Sequence, residues 1–121
     1  VQGEASPSCF GSFARFLSML YDMGLKTSDM LHRAMTAFIH TNAPSAVRII
    51  SDDDIIDAMY NNIYAQLMEF VIHDAHNVER VNHLLWVAHN LERAADRVTN
   101  ICERTIYVET GELIEMASSQ K

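Results

Sequence analysis

Leu91-Glu92-Arg93-Ala94-Ala95-Asp96-Arg97-Val98-Thr99-Asn100-Ile101-Cys102-Glu103 is the stretch whose reading decides the fold. On a helix, Glu92, Asp96, Asn100 and Glu103 recur at i, i+4, i+8 and i+11, so four oxygen-bearing side chains form one narrow stripe. Leu91, Ala95, Val98, Cys102 and Ile106 form the neighbouring apolar stripe, which must face a core. The acids therefore border the core instead of pointing away from it. A carboxylate moved out of water without a partner costs several kcal/mol, on the order of 2–7 for a polar group and more for a charge, so these acids call for an arginine, a metal ion or water. Arg93, Arg97 and Arg104 lie about 100° round the helix and serve only part of the row.

Working outward, the apolar period continues back through Ala88, Leu85, Leu84 and Val81, which predicts a helix from about Val78 to Val108 with Gly111 as its C-cap. His73-Asp74-Ala75-His76-Asn77 punctuates a short connection, with Asp74 or Asn77 available as a cap. Before it, Ile49, Ile56, Tyr60, Ile63, Leu67 and Phe70 mark a second helix from about Pro44 to Ile72. Asp53 fills the seam position between Ile49 and Ile56, and Asp57 follows one turn later. A first helix is expected from Phe10 to about Thr41, with a break near Gly24 to Ser28, where Gly24 costs about 1 kcal/mol relative to Ala and Ser28 can cap a fresh start. Residues 1–8 are expected to be unstructured, residues 9–111 to form one three-helix domain, and residues 112–121 to be a tail.

Three helices of about 45 Å joined by short connections make an all-α, antiparallel up-down-up three-helix bundle. In that topology Asp57 and Glu92 are nearly equidistant from the connection at Asp74. The pairs Asp53/Asp57 and Glu92/Asp96 are thus predicted at one height on adjacent helices. Four carboxylates at one level repel unless protons or a cation intervene, and oxygen ligation suits Mg, Ca, Mn, Zn with water, or ferric iron.

The composition agrees with a single helical domain: 121 residues, 49% hydrophobic, with 4 Gly and 2 Pro. A net charge of −7 and the lack of a basic run argue against nucleic acid as a partner. Cys9 and Cys102 have no metal or disulfide-framework spacing and read as reduced thiols. No apolar run reaches the length of a membrane span and no signal-peptide pattern opens the chain, so a cytoplasmic location is expected, with membrane contact only through partners. The opening Val1-Gln2-Gly3, without Met, reads as excised from something longer. No Gly-rich phosphate loop, activated nucleophile or acid/base pair is present, so no catalytic role is expected. A di-iron oxygenase would want inward Glu-x-x-His pairs, whereas only the reverse order, His89-Asn90-Leu91-Glu92, occurs. Asp52, Asp54 and the remaining histidines are read as surface or loop polars, and the methionines as core or interface filler.

The run from Asn90 to Glu103, closed by Thr110-Gly111, resembles the signature of the PhoU family of phosphate-uptake regulators, as does Asp53-x-x-x-Asp57-x-x-Tyr60 upstream. The resemblance covers Ile49 to Gly111 and includes Gln66-Leu67-Met68 and Asp74. It implies a three-helix domain whose acid-x-x-x-Asp pairs bind iron, zinc or manganese: Asp53/Asp57 and Glu92/Asp96 here, flanked by Asn100 and Glu103. It also implies a non-enzymatic regulator that restrains a phosphate ABC transporter and signals phosphate sufficiency to a membrane sensor histidine kinase. Family members usually carry two such repeats. This chain resembles the second, so a homodimer rebuilding the two-repeat molecule is one expectation. The same half-domain resembles cytoplasmic domains of sodium–phosphate cotransporters, for which a metal-free docking module is the alternative. Ala94-Ala95 stands where the family usually has Ile-Gly, and Ala75 where a Pro is common.

Overall fold

The computed structural model describes residues 7–111, with side chains from Gly11 onward; the expectations for residues 1–6 and 112–121 lie outside the described residues. The order is α1 (Pro7–Ile39), α2 (Ala43–His73), a single 3-10 turn (Ala75–Asn77) and α3 (Val78–Thr110), with no strand among the described residues. The all-α three-helix bundle is therefore observed. No helix of the described residues is long and apolar enough to cross a membrane.

Each helix begins and ends for a local reason. α1 starts on Pro7, whose fixed φ and missing N–H suit a first turn. It ends at Thr41, which adopts a left-handed φ of 51°. The Asn42 N–H then bonds back to the Ala37 carbonyl at 2.8 Å and the Thr41 N–H to Phe38 at 3.1 Å, closing the last turn in the Schellman pattern. Asn42 at once caps α2, its side chain accepting the Ser45 N–H at 3.1 Å, while Pro44 occupies the first turn. Asn77 takes the N-cap place of α3, but its side-chain amide donates to Asp74 at 2.9 Å instead of capping. Gly111, at φ 79°, closes α3 as expected, its N–H bonding to Tyr107 at 2.8 Å.

The break expected between Gly24 and Ser28 does not occur; α1 runs through it without interruption. Thr27 fills the buried slot of the apolar period there, and its hydroxyl donates to the Met23 carbonyl at 2.9 Å, so no polar atom is stranded. The buried residues on either side of Gly24, namely Leu20, Met23, Thr27 and Met30, pack against the other helices, and that packing outweighs the weak propensity of one glycine.

The chain direction follows from contacts between helix ends. Phe13 and Phe16 near the start of α1 stack edge-on against Phe70 near the end of α2, with centroids 5.3 and 5.6 Å away. Arg33, late in α1, reaches Asp52, early in α2. The Ala43 N–H at the start of α2 donates to Glu109 at the end of α3 at 2.7 Å. Arg80 of α3 lies over Phe13 at 5.6 Å, so α1 and α3 are parallel. Every pair of helices is in contact. The shared core is built from Phe16, Met23, Met30 and Ala34 of α1, Ile49, Ile56, Ile63 and Leu67 of α2, and Val81, Ala88, Ala95, Cys102 and Ile106 of α3.

Candidate functional site

The acids lie along the α2–α3 seam, from mid-height (Asp57, Glu92 and Asp96) toward the end where α1 turns into α2 (Asp53 and Glu103). The Ala43–Glu109 hydrogen bond and the electrostatic influence of Glu92 on Tyr60 set one antiparallel register between these helices. Stepping along that register, Asp57 lies level with Ala95 and Asp96, and Asp53 level with Thr99. Helical side chains lean toward their own N-terminus, so Asp53 on α2 and Glu103 on α3 lean toward each other's level. Along this register the two acidic pairs overlap only in part: Asp96, not Glu92, is level with Asp57, Asp53 is level with Thr99, and Glu92 with Tyr60.

Burial differs sharply among the expected ligands. Asp53 is 5% exposed and Glu103 is 6% exposed; Asp57, Glu92 and Asp96 are half-buried; Asn100 is exposed. Position 100 falls on the outer edge of the stripe, and the inner place one turn from both Asp96 and Glu103 belongs to Thr99, which is fully buried. Thr99 donates its hydroxyl to the Asp96 carbonyl at 2.6 Å, so it fills space without claiming a carboxylate. One carboxylate oxygen each of Asp57, Asp53 and Glu103 is shut away from solvent and accepts no hydrogen bond, although Asp53 and Glu103 take part in other polar or electrostatic interactions. The Asp57 Oδ1 is thus a buried acceptor that receives no hydrogen bond.

The helix opposite is apolar at this height. Along α1, Met23, Thr27 and Met30 face the core. Its cation stands at the edge: Arg33 donates to Asp52 at 2.5 Å and to Asp29 at 2.9 Å, and Lys26 lies 3.8 Å from Asp52. The hydrogen bond that Arg33 donates to Asp52 is the main reason its guanidinium titrates above its usual range. Asp52 was expected to do nothing specific, and this ion pair corrects that reading. A contact between residues 19 apart in sequence leaves no trace in the local period of either helix. Burial, the largest influence, drives the Cys102 thiol up to about 11, Arg33 opposing and Glu103 reinforcing the rise, so this thiol is inert at neutral pH.

Beyond Glu92 the seam turns aromatic. Tyr60, Tyr64, Asn82, Leu85, Trp86 and His89 line an open groove of about 250 Å³, with the His89 ring edge-on to Trp86 at 6.1 Å. His89 thus belongs to this groove. Burial is the largest influence raising the Tyr60 phenol, followed by Glu92 and Tyr64. His32, His40, His73, His76 and His83 are exposed, as expected.

Among the described residues, no three His, Cys, Asp or Glu side chains converge on one point as a closed ion cage would require.

A three-helix bundle carrying facing carboxylates on two antiparallel helices defines the class of acid-seamed helical domains. More particularly, the chain belongs to the PhoU domain family, whose model matches residues 20–105. The match reaches across most of α1, where the motifs quoted above had no counterpart. The chain is 32% identical over 97 residues to the phosphate-specific transport system accessory protein PhoU homolog of Clostridium acetobutylicum, covering 80% of this chain and 44% of that protein. It is 35% identical over 96 residues to phosphate-specific transport system accessory protein PhoU of Escherichia coli K12, covering 79% and 40%. The Streptococcus pneumoniae serotype 4 homolog is 32% identical over 97 residues, covering 80% and 45%. The chain thus spans less than half the length of these relatives. No solved structure matches it significantly.

Proposed function

We propose that this domain is a non-enzymatic regulator of phosphate transport whose acid seam binds iron, zinc or manganese and acts as the sensing or stiffening element of the domain. The observation that carries the metal reading is the buried, hydrogen-bond-free Oδ1 of Asp57, on a seam it shares with Asp53, Asp96 and Glu103. Asp53 and Asp57 would hold a cation from α2, and Asp96 with Glu92 or Glu103 from α3; Asn100, being exposed, would contribute only through water. Bound there, a cation supplies charge neutralisation across two helices that otherwise repel.

The relatives' name, accessory protein of a phosphate-specific transport system, supports the transport role. Beyond that name, the proposal takes from the family resemblance a phosphate ABC transporter and a membrane sensor histidine kinase as partners, a cytoplasmic location and self-association. The absence of a three-donor cluster among the described residues favours a second reading, a metal-free module whose acids dock a basic segment of a transporter.

Elemental analysis of protein purified without chelator separates the two. The metal reading expects stoichiometric iron, zinc or manganese in the wild type and its loss in Asp57→Ala/Asp96→Ala, with unchanged helicity; Glu92→Ala alone should retain most of it. No metal after incubation with each ion sinks the metal reading and leaves the docking module. The transport role is checked separately, by whether the chain restores repression of a phosphate-starvation reporter in cells lacking their own regulator.

A further inference from the structure

α1 is apolar on two faces. Its inner face builds the core, yet its solvent side carries Leu17, Tyr21, Leu25, Leu31, Met35, Phe38 and Ile39, each 43–70% exposed. α2 and α3 also expose large apolar side chains, among them Ile55, Ile72, Trp86 and Val108, but at spacings that do not form one continuous row. Leu17, Tyr21, Gly24, Ser28, Leu31, Met35 and Phe38 step by alternating fours and threes, the spacing of a seam between two helices. No other element of the described fold covers this seam.

We propose that a second copy of this chain docks on it, α1 against α1 in antiparallel two-fold fashion, with the axis at Ser28. The proposal rests on the self-association put forward above and adds the face and the register. Around that axis Leu17 meets Ile39, Tyr21 meets Met35, and Leu25 meets Leu31 of the other copy, so six of the seven exposed apolar residues find an apolar partner, while Phe38 falls opposite Ser18. Gly24 and Ser28 lie at the centre, where small side chains let two helices cross closely. A Cβ built on Gly24 would touch nothing nearer than Leu91 at 4.0 Å, so the monomer does not demand glycine there.

The area is sufficient. At about 200 Å² for a fully exposed large side chain, the seven exposed fractions amount to roughly 750 Å² per copy, close to the roughly 800 Å² per partner of a standard interface. A lipid surface fits less well: Asp22 and Asp29 are exposed beside the stripe and the chain carries a net charge of −7, which an anionic membrane repels.

The test is mass in solution by light scattering on the full 121-residue chain, with helicity measured in parallel. The wild type is expected at twice 13.7 kDa, and Leu25→Glu/Leu31→Glu at the monomer mass with unchanged helicity, both sites being exposed. In a Cys9→Ser background, Ser28→Cys should form an intermolecular disulfide, whereas Ile39→Cys should not, because the antiparallel register places Leu17 opposite it. A monomeric wild type overturns self-association and this face together. A dimer that survives Leu25→Glu/Leu31→Glu and gives no Ser28→Cys cross-link overturns the face while self-association stands. Cross-linking by both single cysteines overturns the antiparallel register.

Discussion

The two ends of the bundle are built on opposite terms. At the end near the α2–α3 connection, Phe13, Phe16 and Phe70 stack edge to face, Arg15 and Arg80 lie over their rings, and the interior holds no charge. Toward the other end the α2–α3 seam contains Asp53 and Glu103, both nearly out of solvent, with Asp57 and Asp96 next along it at mid-height. Burying an aromatic side chain contributes on the order of 2–3 kcal/mol, whereas burying a carboxylate opposes folding unless something compensates. One end therefore supplies stability and the other spends it, the pattern expected where a binding site is maintained at the cost of local stability.

The largest test of that contrast is Phe16→Ala. Phe16 is fully buried and contacts both other rings of the cluster, so its loss should cost about 3–5 kcal/mol in chemical denaturation, without altering metal content per folded molecule. A loss below about 1 kcal/mol would mean the aromatic end is not where the bundle is held.

Next in size is the alkaline limit set by Cys102. Its thiol sits above its unfolded value of 9.0, at about 11 in the fold, so the folded state holds this proton more tightly than the unfolded chain. The stabilising contribution is complete below pH 9 and is lost as pH rises from 9 to 11. Unfolding free energy measured across that window should fall in the wild type more steeply than in Cys102→Ala. Iodoacetamide at pH 8 should modify Cys102 only after denaturant is added.

A smaller effect is expected from Glu103→Gln. Glu103 and Asp53 lean toward each other across the α2–α3 seam, so removing this charge should raise metal-free stability by about 1 kcal/mol while weakening the stabilisation gained on adding metal. Thermal melts with and without the ion check both signs. A drop in metal-free stability would show that Glu103 is held by its neighbours as a structural acid.

Much of this contrast was legible in the sequence, and what was not has a physical reason. Asp53 interrupting an apolar period and Glu92/Asp96 bordering another are local signals, and helix length with short connections was enough to bring them onto one seam. Thr99 does not stand out in a row of oxygens spaced by four, although its offset of three from Asp96 places it deeper than Asn100. The Arg33–Asp52 pair and the continuity of α1 through Gly24 depend on contacts between helices, which periodicity within one helix does not encode. The outer stripe of α1 was visible only as an excess of apolar residues; which of them face away from the core is decided by the register against α2 and α3.

The smallest predicted effect lies at the turn that closes the acidic end. Thr41 holds a left-handed φ of 51°, a conformation costing a β-branched residue about 1 kcal/mol, and its N–H and that of Asn42 both serve the end of α1. Asn42 then caps α2, and the next residue's N–H is bound by Glu109 of α3, so one strained residue precedes a junction that ties all three helices together. Thr41→Gly relieves the side-chain strain but loosens the unfolded chain, so a net gain of only several tenths of a kcal/mol is expected in denaturant melts. If that gain appears and metal affinity is unchanged, the strain belongs to the turn alone. If affinity falls as stability rises, the rigid turn is part of how α2 presents Asp53 and Asp57, and the acidic end is preorganised from outside its own carboxylates.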